Sequence, residues 1–176
     1  MGCPVKTKEY IQLEDIFGVG KALSIWQQNN EKTPDFGKAL SMWYPGKVEI
    51  SNSLRAWNTG TFSGKNQKQF EPVIDKLILS DPDAKVGGGE SFNDVKTRTI
   101  EEGKRILDSA PGNSAVVTHS TVLKFLLLWD KMGRPEDLSK LTPEMYLDVS
   151  TKPGEMEKVK GTNGDIFFIR HGETDD

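Results

Sequence analysis

The chain is poor in the residues that build disulfide frameworks and metal clusters. Its 176 residues include one cysteine, Cys3, and two histidines, His119 and His171. A single cysteine excludes an internal disulfide and is typical of a reducing compartment, so we expect a cytoplasmic protein. No group of residues has metal-ligand spacing, and we expect neither a metal nor another cofactor.

Long apolar runs and an excess of positive charge are also missing. The longest apolar run, Phe125 to Trp129, is far shorter than the roughly 20 residues that span a bilayer, and the N-terminus lacks the apolar stretch of a secretory signal. The net charge of -3 offers no overall basic surface. We therefore expect no membrane and no nucleic-acid partner. The length and the 35% hydrophobic content suit a single domain over residues 1–176.

Strand-like and helix-like segments alternate, which indicates an α/β layer fold. The spacing of apolar residues predicts a helix from Phe70 to Ser80, and Val48–Ile50 has the pattern of a short strand. Ser91 and Asp94 have the spacing of a capping box, which predicts a helix from there to about Asp108.

The second half of the chain begins with a strand followed by a helix. Ala115 to Thr118 is predicted to be a short buried strand, and an apolar helix is expected to begin at Val122 with Ser120 or Thr121 as its cap.

A hairpin is predicted near the C-terminus. Asn163-Gly164 is a strong turn signal between a predicted edge strand, Met156 to Lys160, and a predicted final strand, Ile166 to Ile169.

Both histidines lie just beyond short apolar strands. His119 directly follows Thr118, and His171 follows the final strand after Arg170. Because ligands bind at the carboxyl ends of strands in open α/β sheets, we expect the two imidazoles to converge. A histidine that follows an arginine and precedes a glycine, as His171 does between Arg170 and Gly172, is suited to binding a phosphate. The sequence therefore predicts a phosphate site.

Four segments together resemble the histidine phosphatase superfamily, the phosphoglycerate-mutase-like clan. They are IFFIRHGETDD, SAVVTHSTVLKFLLL, GGGESFNDVKTR and LRAWNTGTFSGK. The resemblance implies a three-layer sandwich in which helices flank a mostly parallel central sheet. It also implies that His171 attacks phosphorus, that Arg170 holds the phosphoryl oxygens, and that His119 is the second histidine of the pocket.

The order of these segments differs from that of the family. Members begin with Arg-His-Gly and reach the second histidine late, whereas here Arg170-His171-Gly172 comes last. Two explanations are open: a circular permutation, or a truncated or shifted reading frame. The predicted turn from Thr162 to Asp165 would join the family's usual last strand to its usual first, and it favours the permutation.

The second phosphate-binding cation has two candidates. One alignment places Asp35 to Ala39 on the family's Asp-Leu-x-Arg-Ala stretch, so that Lys38 replaces the arginine. That replacement keeps the charge but loses the bidentate fork. The other alignment places Ser51 to Gly60 on the same stretch and makes Arg55 the second arginine.

The proton donor is not evident. The carboxylate of many family members falls on Ala56, and nearby Asn58 has no transferable proton. Glu90, which follows three glycines and precedes a helix start, is the best remaining carboxylate. Glu173 is the fallback, with Asp175 close behind it.

The resemblance implies a metal-independent phosphomonoester hydrolase that works through a phosphohistidine on His171. Its substrate would be a small phosphorylated compound or a phosphoprotein. The alternative is a catalytically impaired protein of the same fold that binds a phosphate ligand without turning it over.

Overall fold

The computed structural model describes Glu49, residues 51–65 and residues 67–170. The predicted strand Val48–Ile50 falls almost wholly outside this part of the chain, and Lys38, His171, Glu173 and Asp175 also lie outside it. The helices and strands of the described ranges are, in chain order, α1 (Gln67–Ser80), α2 (Phe92–Ser109), β1 (Ser114–Thr118), α3 (Ser120–Lys131), α4 (Pro143–Leu147), β2 (Met156–Lys160) and β3 (Asp165–Arg170).

The capping box predicted at the start of α2 is confirmed. The Ser91 side chain accepts a hydrogen bond from the backbone N–H of Asp94 at 3.1 Å, and the Asp94 carboxylate accepts one from the backbone N–H of Ser91 at 2.7 Å. These bonds satisfy N–H groups that have no partner within the helix. The helix end, Ser109, is one residue beyond the prediction. The cap fixes the position of Glu90, the residue immediately before it.

The three described strands form a mixed sheet in the order β1-β3-β2. β1 and β3 are parallel, with Thr118 opposite Arg170, whereas β2 and β3 are antiparallel, with Lys160 opposite Asp165. The expectation of a mostly parallel sheet is therefore wrong for these strands. The predicted hairpin between β2 and β3 is present. Because a short turn reverses the direction of the chain, these two strands pair antiparallel. The three-layer arrangement stays a prediction.

Helix α3 occupies the centre of the core. Phe125 and Leu126 are completely buried, and the Phe125 ring centroid lies 5.0 Å from that of Phe92 and 4.6 Å from that of Tyr146. A helix that is apolar on nearly every side is stable only when other elements surround it. The core therefore holds the start of α3, where His119 lies, in a fixed position. None of the described helices is long and apolar enough to cross a bilayer.

The predicted start of α3 needs a correction. The helix begins at Ser120 rather than Val122, and His119 is its N-cap residue, whose carbonyl accepts the N–H of Leu123 at 2.9 Å. Ser120 does not cap the helix, because its hydroxyl bonds to that of Thr151 at 2.9 Å. A tertiary contact thus takes one of the two hydroxyls that the sequence offered as caps.

Candidate functional site

The parallel pairing of β1 with β3 brings two predicted site residues together. Thr118 and Arg170 are register partners at the carboxyl ends of these strands. His119 is the next residue after Thr118 and is partly buried at the start of α3. In the sequence, His171 directly follows Arg170, but it lies outside the described residues. The structure thus brings His119 close to Arg170 in the sheet register, and the convergence of the two imidazoles stays a prediction.

The end of β3 is held by the loop that precedes β2. Arg170 Nη1 donates a hydrogen bond to the carbonyl of Thr151 at 2.5 Å. The backbone N–H of Arg170 donates to Glu155 O at 2.9 Å, and its carbonyl accepts the N–H of Gly154 at 3.0 Å. These bonds fix the backbone of Arg170 and one arm of its guanidinium.

Glu90 is the centre of a second polar cluster. Arg98 grips its carboxylate at two points, Nε to Oε1 at 2.8 Å and Nη2 to Oε2 at 3.0 Å. Arg55 Nη2 donates to Oε1 at 2.5 Å, and the backbone N–H of Asn58 donates to Oε2 at 3.0 Å. Both oxygens are thereby used, and the side chain is only 13% exposed. We name Glu90, Arg98 and Arg55 the carboxylate clamp.

Arg98 also binds the backbone of the segment that carries Arg55. Its Nη1 donates to the carbonyls of Ser53 at 2.6 Å and of Arg55 at 3.1 Å, and its Nη2 donates to that of Ala56 at 3.1 Å. Arg98 was not among the residues predicted from the sequence. Its position seven residues after the cap Ser91 places it on the cap's face of the helix. That spacing is the signal that would have found it.

The ionisation of Glu90 follows from these contacts. Burial raises the pKa of its carboxyl, but hydrogen bonds from Arg98 and from the Asn58 N–H, with the charges of Arg98 and Arg55, outweigh burial and leave the pKa below its ordinary value. Glu90 is therefore a carboxylate at neutral pH. Because a proton donor must hold its proton at the working pH, this geometry favours a holding role for Glu90 over the predicted proton donation.

Two backbone segments, one around Asn58 and one leading to Glu90, lie in close contact beside the clamp, and glycines permit this contact. The N–H of Glu90 donates to Asn58 O at 2.8 Å, and the indole of Trp57 donates to Glu90 O at 3.0 Å. A Cβ on Gly89 would lie 2.1 Å from Asn58 O, and one on Gly60 would lie 2.0 Å from Gly87 O. The glycine run before Glu90 thus permits the close approach that positions its carboxylate.

One part-buried hydrogen bond links the clamp to the strand end. The hydroxyl of Thr118, a residue that is 3% exposed, donates to Leu54 O at 2.9 Å. Leu54 immediately precedes Arg55, and Thr118 immediately precedes His119. Arg55 is 49% exposed, and its Nη1 donates to Asn52 O at 2.9 Å. The structure therefore ties the Arg55 segment to the strand end that carries His119 and Arg170.

The described residues contain no group of three or more His, Cys, Asp or Glu side chains that could hold a metal ion. What they contain is the Arg170 guanidinium and the His119 imidazole at the carboxyl end of two parallel strands, where an α/β fold binds its ligands. These features define an α/β protein with a candidate anion site.

A comparison with protein-family models identifies the family to which this α/β protein belongs. The family model "Histidine phosphatase superfamily (branch 1)" matches residues 38–144, more than half of the chain. The chain belongs to the histidine phosphatase superfamily, whose members are generally phosphatases or mutases. No curated protein and no solved structure gives a significant match. The matched region includes Arg55, Glu90 and His119 and ends before Arg170, so the circular permutation stays a prediction.

Proposed function

We propose that the chain is a metal-independent phosphomonoester hydrolase that works through a phosphohistidine on His171. The observation that carries the proposal is the pairing of Thr118 with Arg170. Each of these strand residues is followed by a histidine in the sequence. Membership of a superfamily of phosphatases and mutases supports the same reading.

The first step is attack by a neutral nitrogen of His171 on phosphorus, in line with the leaving oxygen. The P–N bond forms as the P–O bond breaks, and the leaving oxygen takes a proton. Arg170, Arg55 and His119 lower the barrier because their N–H groups bind the phosphoryl oxygens, where charge accumulates. In the second step, water attacks the phosphohistidine, the P–N bond breaks, and phosphate leaves with the imidazole neutral again.

We assign the second cation to Arg55. The segment that carries it is bonded to the strand end through Leu54 and Thr118, and its own side chain is half exposed while Glu90 holds one nitrogen. A guanidinium held this way can offer its other donors to a phosphate with little further loss of side-chain freedom. Lys38, the other candidate, lies outside the described residues.

Glu90 and Arg98 are positioning residues in this scheme. Glu90 aims Arg55, and Arg98 holds both Glu90 and the carbonyls around Arg55. The substrate would be a small phosphorylated compound or a phosphoprotein.

The alternative is a protein that binds phosphate ligands without hydrolysing them. One observation favours it: Glu90, the best carboxylate from the sequence, is ionised and fully engaged, and the family's usual carboxylate position is Ala56. Such a protein would keep the phosphate-binding cations but lack an acid that protonates the leaving oxygen.

The test is hydrolysis of an aryl phosphate in the presence of a chelator by the wild type, His171→Ala and Arg55→Ala. We expect turnover that resists the chelator, vanishes in His171→Ala and falls in Arg55→Ala. Arg105→Ala is the matched control, because Arg105 is 47% exposed and, like Arg55, pairs with a glutamate. Tight vanadate binding without turnover would support the binding protein, and the absence of both binding and turnover would contradict both readings.

A further inference from the structure

The turn formed by residues 151–155, directly before β2, is closed by its own hydrogen bonds. The Glu155 carboxylate accepts the backbone N–H of Lys152 at 2.5 Å, and the Lys152 carbonyl accepts the backbone N–H of Glu155 at 3.0 Å. Gly154 lies between these two residues with a φ of +74°, a backbone conformation that favours glycine. These bonds fix the shape of the turn, and with it the position of Thr151 at its start.

The turn contacts Arg170 on its backbone and on its side chain. The backbone bonds go to Gly154 and Glu155, and the bond from Arg170 Nη1 to the Thr151 carbonyl, at 2.5 Å, fixes the direction of the guanidinium. That bond uses one of the guanidinium's five N–H donors. No carboxylate within residues 51–65 and 67–170 forms an ion pair with Arg170. The remaining donors are therefore available to a phosphoryl group.

The same threonine contacts the start of α3. The hydroxyls of Thr151 and Ser120 are hydrogen-bonded at 2.9 Å, and both residues are partly buried. Ser120 is the first residue of α3 and directly follows the N-cap His119. Thr151 thus has one contact on each side of the candidate site: its carbonyl binds the Arg170 side chain, and its hydroxyl binds the neighbour of His119.

These two contacts supply what the sheet does not. The parallel pairing of β1 with β3 sets the distance between the main chains at Thr118 and Arg170, but it does not orient the long side chain of Arg170. A flexible side chain that is already held in one direction loses less conformational entropy when the ligand binds. Donors aligned in advance with the phosphoryl oxygens also stabilise the charge that accumulates there in the transition state.

We propose that Thr151 is a positioning residue of the phosphatase site: its carbonyl directs the Arg170 guanidinium, and its hydroxyl bond to Ser120 fixes that guanidinium relative to His119. The proposal rests on the function proposed above. Thr151 contacts neither the substrate nor the reacting atoms in this scheme. Without its hydroxyl, the turn can shift relative to α3, and Arg170 and His119 then no longer bind the phosphoryl group in the same geometry.

Removing the hydroxyl while keeping the shape of the side chain tests this role. We expect Thr151→Val to lower kcat/KM for 4-nitrophenyl phosphate by about tenfold, and Thr151→Ser, which keeps the hydroxyl, to stay within about twofold of the wild type. The Ki of vanadate, which adopts the trigonal-bipyramidal geometry of the transition state, should rise by about the same factor as kcat/KM falls. Thr162→Val is the control, because it removes an exposed hydroxyl that bonds Asp108 at the β2–β3 hairpin, and it should change neither value.

The vanadate measurement separates positioning from stability. A variant that only folds less well contains less active enzyme, but its folded fraction binds vanadate with the wild-type Ki. An unchanged Ki in Thr151→Val, or an unchanged kcat/KM, would therefore overturn the proposal.

A double-mutant cycle with Ser120 tests the bond between the two hydroxyls. Ser120→Ala removes the other partner, so we expect it to cause the same loss as Thr151→Val, and the double variant to lose no more than either. Additive losses, or a loss in Ser120→Ala alone, would overturn the proposal, because a hydroxyl would then act on the phosphoryl group directly. If the wild type binds vanadate without turnover, the same cycle is measured by the vanadate Kd. A wild type that neither hydrolyses the ester nor binds vanadate would contradict the proposed function itself, and this inference with it.

Discussion

The guanidinium of Arg98 and the carboxylate of Glu90 face each other in a two-point pair, with Nε on Oε1 at 2.8 Å and Nη2 on Oε2 at 3.0 Å. Each side chain is 13% exposed. The same guanidinium also reaches the carbonyls on both sides of Arg55. A part-buried pair of this kind is much more sensitive to the loss of one member than to the loss of both.

Replacing Arg98 should therefore destabilise the protein. Arg98→Met leaves the Glu90 charge without its fork and the carbonyls of Ser53 and Ala56 without a donor, and we expect a loss of about 3–5 kcal/mol in the free energy of unfolding. Urea unfolding at neutral pH measures it. Arg105→Met, on the outer part of the same helix, should change stability by less than about 1 kcal/mol. Equal losses of unfolding free energy in the two variants would contradict a stabilising role for the carboxylate clamp.

The clamp also predicts how stability depends on pH. The folded-state pKa of Glu90 is below its ordinary value of 4.5, so its contribution is present above pH 4.5 and is lost as the pH falls through the folded-state pKa. Glu90→Gln should therefore be less stable than the wild type at neutral pH, and the difference should shrink below pH 4.5. Urea unfolding over a pH series measures both proteins. A difference that stays constant with pH would mean that the ionised form of Glu90 is not what stabilises the fold.

Two neighbouring glycines offer a matched comparison of steric contact and backbone strain. A Cβ on Gly89 would lie 2.1 Å from Asn58 O, whereas one on Gly88 meets nothing within 4 Å, although its φ is +79°. Gly88→Ala should cost about 1–2 kcal/mol, the strain of a left-handed residue. Gly89→Ala should cost more, because it pushes Asn58 away from Glu90, and it should also weaken phosphate binding. Unfolding free energies and phosphate titration measure the two effects, and an equal cost at both positions would contradict the backbone contact.

Two buried threonines differ in their hydrogen bonding. Thr118 donates to Leu54 O, whereas the Thr99 hydroxyl finds no hydrogen-bond partner within the described ranges. Thr118→Val should cost about 1–3 kcal/mol, because it leaves the part-buried Leu54 carbonyl without its donor, and it should weaken phosphate binding through Arg55. Thr99→Val should be neutral or stabilising. If Thr118→Val binds phosphate as tightly as the wild type, the link between the Arg55 segment and the strand end does not position the site.

Predictions from the sequence succeeded where the determinants are local. The capping box of Ser91 and Asp94 depends on residues three apart, and the hairpin at Asn163-Gly164 depends on its turn. The predicted start of α3 was wrong, because the Ser120 hydroxyl bonds to that of Thr151, which is distant in sequence.

The same distinction holds for the site. A strand followed by a histidine is a local pattern, and it predicted the two strand ends that the parallel pairing of Thr118 with Arg170 brings together. The pairing of Glu90 with Arg55 spans 35 residues, and the bonds from Arg98 to the Arg55 segment span 42 to 45. No local sequence pattern predicts these contacts. The ionised state of Glu90 depends on them, and so it could not be predicted from the sequence.

The bonds from Arg98 to the Arg55 segment end on main-chain oxygens, at Ser53, Arg55 and Ala56. Every amino acid carries such an oxygen, so these hydrogen bonds do not depend on which side chains the segment carries. We therefore expect substitutions at positions 53 and 56, and at Arg55 itself, to leave these bonds in place. For the site proposed above, we therefore expect that exchanging the side chain at position 55 would change ligand specificity without rebuilding the fold.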